Sequence, residues 1–169
     1  MASRMMEPLV EELSHEGGVT RRVLDQVPED RLMWKPCESA RSVGQLALHI
    51  ATTPGAIVRL ATPVEFDATG ANFVGPEPAS KKEIIDAHEA SMRDAVNYLS
   101  GLSDADAMTI WSLKMHGKER LRMPRVGLVR SIMMNHCYHH RGQLSVYLRM
   151  MHVKVPSIYG PSADESPFD

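Results

Sequence analysis

A helix that carries two histidines inside its apolar stripe constrains this chain more than any other feature. From Pro124, which suits a first helical turn, to about Met151, the residues Val129, Ile132, Met133, His136, His140, Leu144, Tyr147 and Leu148 fall on one side of a helical wheel. A stripe this wide must be covered by other apolar faces. His136 and His140 lie one turn apart and ~40° apart around the axis, so their rings point the same way. Burying two imidazoles without partners is costly, and one metal ion satisfies both. A helix supplies only two such ligands comfortably, so a third must come from elsewhere.

The covering faces are legible. Residues from about Glu7 to Val27 read as a first helix, with Leu9, Leu13, Val19, Val23 and Leu24 as a partial stripe. Gly17-Gly18 is expected to kink it or leave a poorly ordered turn. Ser42-Val43-Gly44-Gln45 is a capping-box pattern that opens a second helix to about Leu60, expected to bend at Pro54. Ala61 to Ala79 is rich in Pro, Gly and small polar residues and reads as a long loop able to close a site from above. Ser80-Lys81-Lys82-Glu83 repeats the capping pattern and starts a third helix, ending near Leu99 or Ser100. From Ala107 to Met123 an irregular, hairpin-like crossing is expected. After the last helix comes an extended tail, with Ile158 and Tyr159 as its anchors. These segments predict an all-α fold, a four-helix bundle, formed by residues 1–169 as a single domain.

His49 is the best third ligand, because its helix is apolar around it and it precedes Pro54. His88, in the middle of the third helix's apolar face, is a rival or a polar group touching substrate. Gln143 shares the inward face of the last helix and is placed to hydrogen-bond a ligand. His139 falls towards the polar flank and is expected to meet solvent, the tail or a second subunit. His15 and His116 have polar surroundings, and His152 complements the dipole at the end of its helix. Arg141 is expected to pair with a carboxylate of the tail, Asp164 or Glu165. Cys137, on the helix flank, reads as a small buried residue rather than a nucleophile.

The predicted metal set is thus His49, His136 and His140. Three neutral imidazoles leave coordination positions open, as in a catalytic site. Zinc is the first choice for such ligands, with nickel and iron(II) as alternatives. The rest of the chain adds no competing chemistry: there is no glycine-rich phosphate loop, no CxxC and no Gly-x-Ser-x-Gly elbow. A formal charge of -2 gives no footprint for a nucleic-acid backbone. No apolar run reaches the ~20 residues that cross a bilayer. The stretch from Met1 to Pro8 lacks the core of a secretory signal, and Cys37 and Cys137 make no disulfide framework, which points to the cytoplasm.

The ordered motifs also resemble a known family. They are Val27-Pro28-Glu29-Asp30 with Trp34-Lys35-Pro36, then Ser42 to Ile50, then Asn135-His136-Cys137-Tyr138-His139-His140-Arg141-Gly142-Gln143-Leu144, then Pro156 to Glu165. Together they resemble the DinB/YfiT-like metalloenzymes over nearly the full length. The resemblance implies a four-helix bundle, often a homodimer, with a three-histidine site whose residues fall on His49, His136 and His140. Relatives include S-transferases using bacillithiol and mycothiol-dependent isomerases, and related domains bind iron in a sulfoxide synthase. The expected function is a metal-dependent transferase or isomerase that joins a low-molecular-weight thiol to a small-molecule electrophile. The alternatives are a metal-assisted hydrolase with His88 as base, and a non-catalytic, stress-related metal-binding protein.

Overall fold

Caps set where the helices begin. The computed structural model describes residues 4–168. Helix α1 spans Glu7–Leu24, α2 Val43–Ala61 and α3 Lys81–Gly101. At the start of α2 the box is complete: Gln45 N–H donates to Ser42 Oγ at 2.9 Å and Ser42 N–H donates to Gln45 Oε1 at 3.2 Å. At the start of α3 only half of it forms. Glu83 N–H donates to Ser80 Oγ at 3.1 Å, while the Glu83 carboxylate accepts from Ala79 N–H at 2.7 Å. Each such cap contributes about 1 kcal/mol.

Helix α1 runs unbroken through Gly17-Gly18, contrary to the expected kink. The reason is packing. A Cβ on Gly17 would lie 2.4 Å from Met92 Cε of α3, so the glycine makes room for the end of that side chain, and its carbonyl accepts a bond from His88 Nε2 at 3.0 Å. Helix α2 likewise continues past Pro54. The next N–H, that of Gly55, donates to Ser91 Oγ of α3 at 2.7 Å.

Two regions depart from the expected pattern. Inside the 61–79 loop, residues Glu65–Asp67 form a strand, β1. A short helix α4, Asp104–Met108, comes after α3, with its own capping box between Ser103 and Asp106. The hairpin-like crossing is a true antiparallel pair, β2 (Ile110–Met115) and β3 (Lys118–Pro124), with Leu113 opposite Leu121 and a register shift after it. His116 and Gly117, at φ 53° and 70°, make its two-residue turn, the left-handed pairing that matches strand twist. β1 adds in parallel to β2, giving the sheet order β1-β2-β3. Trp111 Nε1 donates to Leu60 O and Arg125 Nε to Ala61 O, both at 2.9 Å, which ties β2 and the start of the last helix to the end of α2.

The last helical run is not a uniform α-helix. After α5 (Arg125–Leu128) a six-residue π turn, Val129–Met134, precedes α6 (Asn135–Met150). The buried face of α6 is Cys137, Arg141, Leu144 and Leu148, with Tyr147. His136, His140 and Gln143 flank that face and are half-buried, rather than lying at its centre. The core accordingly has two clusters. One holds Leu46, Ile50, Leu144 and Leu148, and the other Ile57, Leu99, Trp111, Leu128 and Met133. On the last helix His136 and His140 fall between the two, after Met134 of the second and before Leu144 of the first, while on α2 His49 lies among residues of the first. No described helix is long and apolar enough to cross a membrane.

Candidate metal centre

Helix α2 presents His49 one residue before Ile50, whose side chain anchors that turn in the core at 1% exposure. Helix α6 presents His136 and His140 on the flank facing α2. The three rings meet edge to face, with centroids 5.1, 4.7 and 4.4 Å apart. One nitrogen from each lies within 4.8 Å of the others, and no other such group of His, Cys, Asp or Glu occurs among the described residues. His49 Nε2 and His136 Nε2 are 2.8 Å apart.

The donor set fits a divalent metal ion. Imidazoles bind as neutral ligands, and these three are held neutral. Burial, then the charge of Arg41 and the neighbouring imidazoles, lowers the His49 pKa to about 4. Burial, then the charges of His140, His139 and Arg41, lowers His136 to about 4. Burial lowers His140 too, opposed by a hydrogen bond to Gln143. That bond runs from His140 Nδ1 to Gln143 Oε1 at 3.0 Å. The oxygen can only accept, so the proton sits on Nδ1 and the Nε2 lone pair is free for a ligand.

Beside this cluster lies a cavity of about 490 Å³, within the range of small-molecule sites. His49 and His136 form part of its wall. The remainder is mainly apolar, including Ile57, Leu60, Trp111, Leu121, Leu128 and Ile132, with Asn72, Phe73 and Gly75 of the 61–79 loop over it. Arg41 lines it as well and donates to Phe73 O at 3.0 Å. Sequence reasoning missed Arg41. Its only signal was its place just before the Ser42 cap, about two turns ahead of His49.

The other expected residues lie elsewhere or act differently. Gln143 sits behind His140 and does not line the cavity. His88 is not at the metal cluster. It is 3% exposed, donates to Gly17 O, and lines pockets between α1 and α3. Arg141 does not pair with the tail carboxylates. Its guanidinium, 1% exposed, meets Glu16 Oε2 of α1 at 2.6 Å and bonds Thr20 Oγ1 at 3.1 Å. The tail supplies the Tyr159 hydroxyl to the same guanidinium, while Asp164 pairs with Arg149 at 2.6 Å and Glu165 with Arg22. His139 is exposed, its ring 4.8 Å from that of His140. Cys137 is buried, and burial pushes its thiol up to about 12.

The pattern of fold and site has relatives. The DinB family model matches residues 1–167. The chain belongs to the DinB family. It is 26% identical over 150 residues to the uncharacterized protein YrdA of Bacillus subtilis (strain 168), an overlap covering 89% of this chain and 85% of that protein. Among solved structures it is similar to a DinB-like protein from Bacillus cereus ATCC 10987, at a TM-score of 0.68 and 27% identity, covering 88% of this chain and 94% of that one. A DinB-like protein of Bacillus subtilis, YjoA, shares the fold at a TM-score of 0.67 and 19% identity, covering 94% and 99% of the two chains.

Proposed function

We propose that this DinB-family chain is a metal-dependent transferase or isomerase that joins a low-molecular-weight thiol to an electrophile. The observation that carries the reading is the placement of His49 and His136 in the wall of an apolar, metabolite-sized cavity. A metal site buried purely for structure has no need of such a cavity. His49, His136 and His140 would hold the ion, with zinc as first choice. When bound, such an ion lowers the pKa of a thiol or water at its open position.

The chain's own residues do the rest. Gln143 holds the His140 proton on Nδ1. The apolar wall keeps water from the electrophile. Phe73 and Asn72 cover it from the loop. The chain offers no thiolate of its own at the site: the Cys137 thiol is held protonated by burial. A nucleophile from solution, a small thiol, fills that role. The hydrolase alternative loses its expected base, since His88 donates to Gly17 O between α1 and α3.

The test begins with metal content per chain. Near-stoichiometric metal in the parent, lost in His49→Ala and in His140→Ala, is expected. Metal-loaded protein should then accelerate conjugation of small thiols to model electrophiles. An uncatalysed rate across several thiols would reject the reading.

A further inference from the structure

The cavity wall carries three titratable side chains: His49, His136 and Arg41. No carboxylate lines it, and Arg41 has no ion pair among the described residues. A guanidinium has five N–H donors, and the one hydrogen bond of Arg41 among the described residues, to Phe73 O, uses one terminal nitrogen. The other donors remain available beside a mainly apolar chamber. This placement is unfavourable if the imidazoles alone are to be served, because a fixed positive charge works against a cation held nearby. It is favourable if an anion enters, since a planar fork of donors matches a carboxylate bidentately.

The apolar wall identifies the rest of the ligand. Small thiol cofactors are polar throughout and gain little from Ile57, Leu60, Leu121 and Ile132. An apolar body does gain, at roughly 25 cal/mol for each Å² removed from water. The carbonyl of Phe73 holds Arg41 under the covering loop, so the charge and the chamber are fixed relative to each other.

We propose that Arg41 anchors the anionic end of the electrophilic substrate, and that this substrate is an amphipathic carboxylate whose apolar body fills the cavity beside the three histidines. The term electrophile rests on the function proposed above; the anchoring of a carboxylate by Arg41 does not.

The experiment is calorimetric titration of the full chain with octanoate, octyl phosphate and octanol. It uses metal-loaded and chelator-treated protein, with Arg41→Gln and Arg41→Lys alongside. Octanoate should bind at least tenfold tighter than octanol. The advantage should vanish in Arg41→Gln, survive in part in Arg41→Lys, and persist after chelation. Unchanged octanol binding and an unchanged unfolding midpoint in Arg41→Gln establish that its cavity is intact.

Equal affinity for octanoate and octanol overturns the proposal, as does an octanoate advantage kept by Arg41→Gln. Loss of the advantage on chelation alone also overturns it, because the carboxylate would then be bound by the metal. Tighter binding of octyl phosphate than octanoate overturns the carboxylate assignment. Octanoate anchored by Arg41 in protein that accelerates no thiol conjugation supports the anchor and rejects only the reaction. Conjugation without an Arg41-dependent preference does the reverse.

Discussion

Removing the Glu16 carboxylate should be among the most damaging single changes in this chain, although it lies outside the metal cluster. Glu16→Ala leaves the Arg141 guanidinium in place, at 1% exposure and without its counter-charge. The pair's two side chains are 1% and 10% exposed, so solvent does little to screen the loss. Arg141 would keep the Glu16 backbone carbonyl at 3.2 Å, Thr20 Oγ1 at 3.1 Å and the Tyr159 hydroxyl, but these are neutral acceptors. The Tyr159 hydroxyl also loses its own acceptor, Glu16 Oε2, at 3.0 Å. Breaking a buried pair this way costs about 3–5 kcal/mol. At about 2–4 °C per kcal/mol for a chain of this size, the melting midpoint should fall by roughly 6–20 °C. Replacing both partners, Glu16→Leu with Arg141→Met, should cost well under the single change, because no charge is then stranded. The assay is urea unfolding monitored by far-UV circular dichroism on Glu16→Ala and on Glu16→Leu, Arg141→Met and their double variant, the last three closing a cycle that yields the coupling energy. A loss below about 1 kcal/mol in Glu16→Ala would refute the claim that this guanidinium depends on its partner.

Three further outcomes are expected. Gln143→Leu should weaken metal affinity about 10–100-fold without unfolding the chain, read by competition with a chelating dye, because His140 loses the acceptor that fixes its tautomer. Metal-free protein should lose stability as pH falls. His49 and His136 have folded pKa values of about 4 against 6.5 when free, and burial depresses His88 as well, so between those values the unfolded chain binds more protons. Stability is then full above about pH 6.5 and declines towards pH 4, and denaturation midpoints that stay flat from pH 7 to pH 5 would contradict it. The adjacent glycines of α1 should respond unequally to alanine. Gly18 faces open space and should gain up to about 1 kcal/mol, while at Gly17 the new methyl displaces the flexible end of Met92, which offsets that gain, measured by thermal melts.

Local chemistry explains which parts of this structure were legible in the sequence. The Ser42 and Ser80 caps act on residues three positions away, so the starts of α2 and α3 could be read directly. The His136–His140 spacing needs only one turn of helix, and that turn formed. What escaped depended on distant partners. β1 is three residues long and exists because β2 offers it an edge. Arg141 finds Glu16 across 125 positions of sequence. Gly17 is tolerated in a helix because of Met92, and His88 is turned away from the site by Gly17. The π turn escaped for another reason: Ile132, Met133 and Met134 are all apolar, so either register of that turn gives an acceptable stripe.

That π turn makes the direction of the histidine pair a matter of counting. A π turn holds about one residue more than the α turn it replaces, and each helical residue rotates the downstream helix by about 100°. Regularising Val129–Met134 into α-helix without removing a residue would rotate His136 and His140 by about 100° away from His49, with every ligand still present in the sequence, whereas deleting one residue as the turn regularises would leave them facing His49. The direction of the histidine pair thus depends on that turn staying wide, as well as on the ligands themselves.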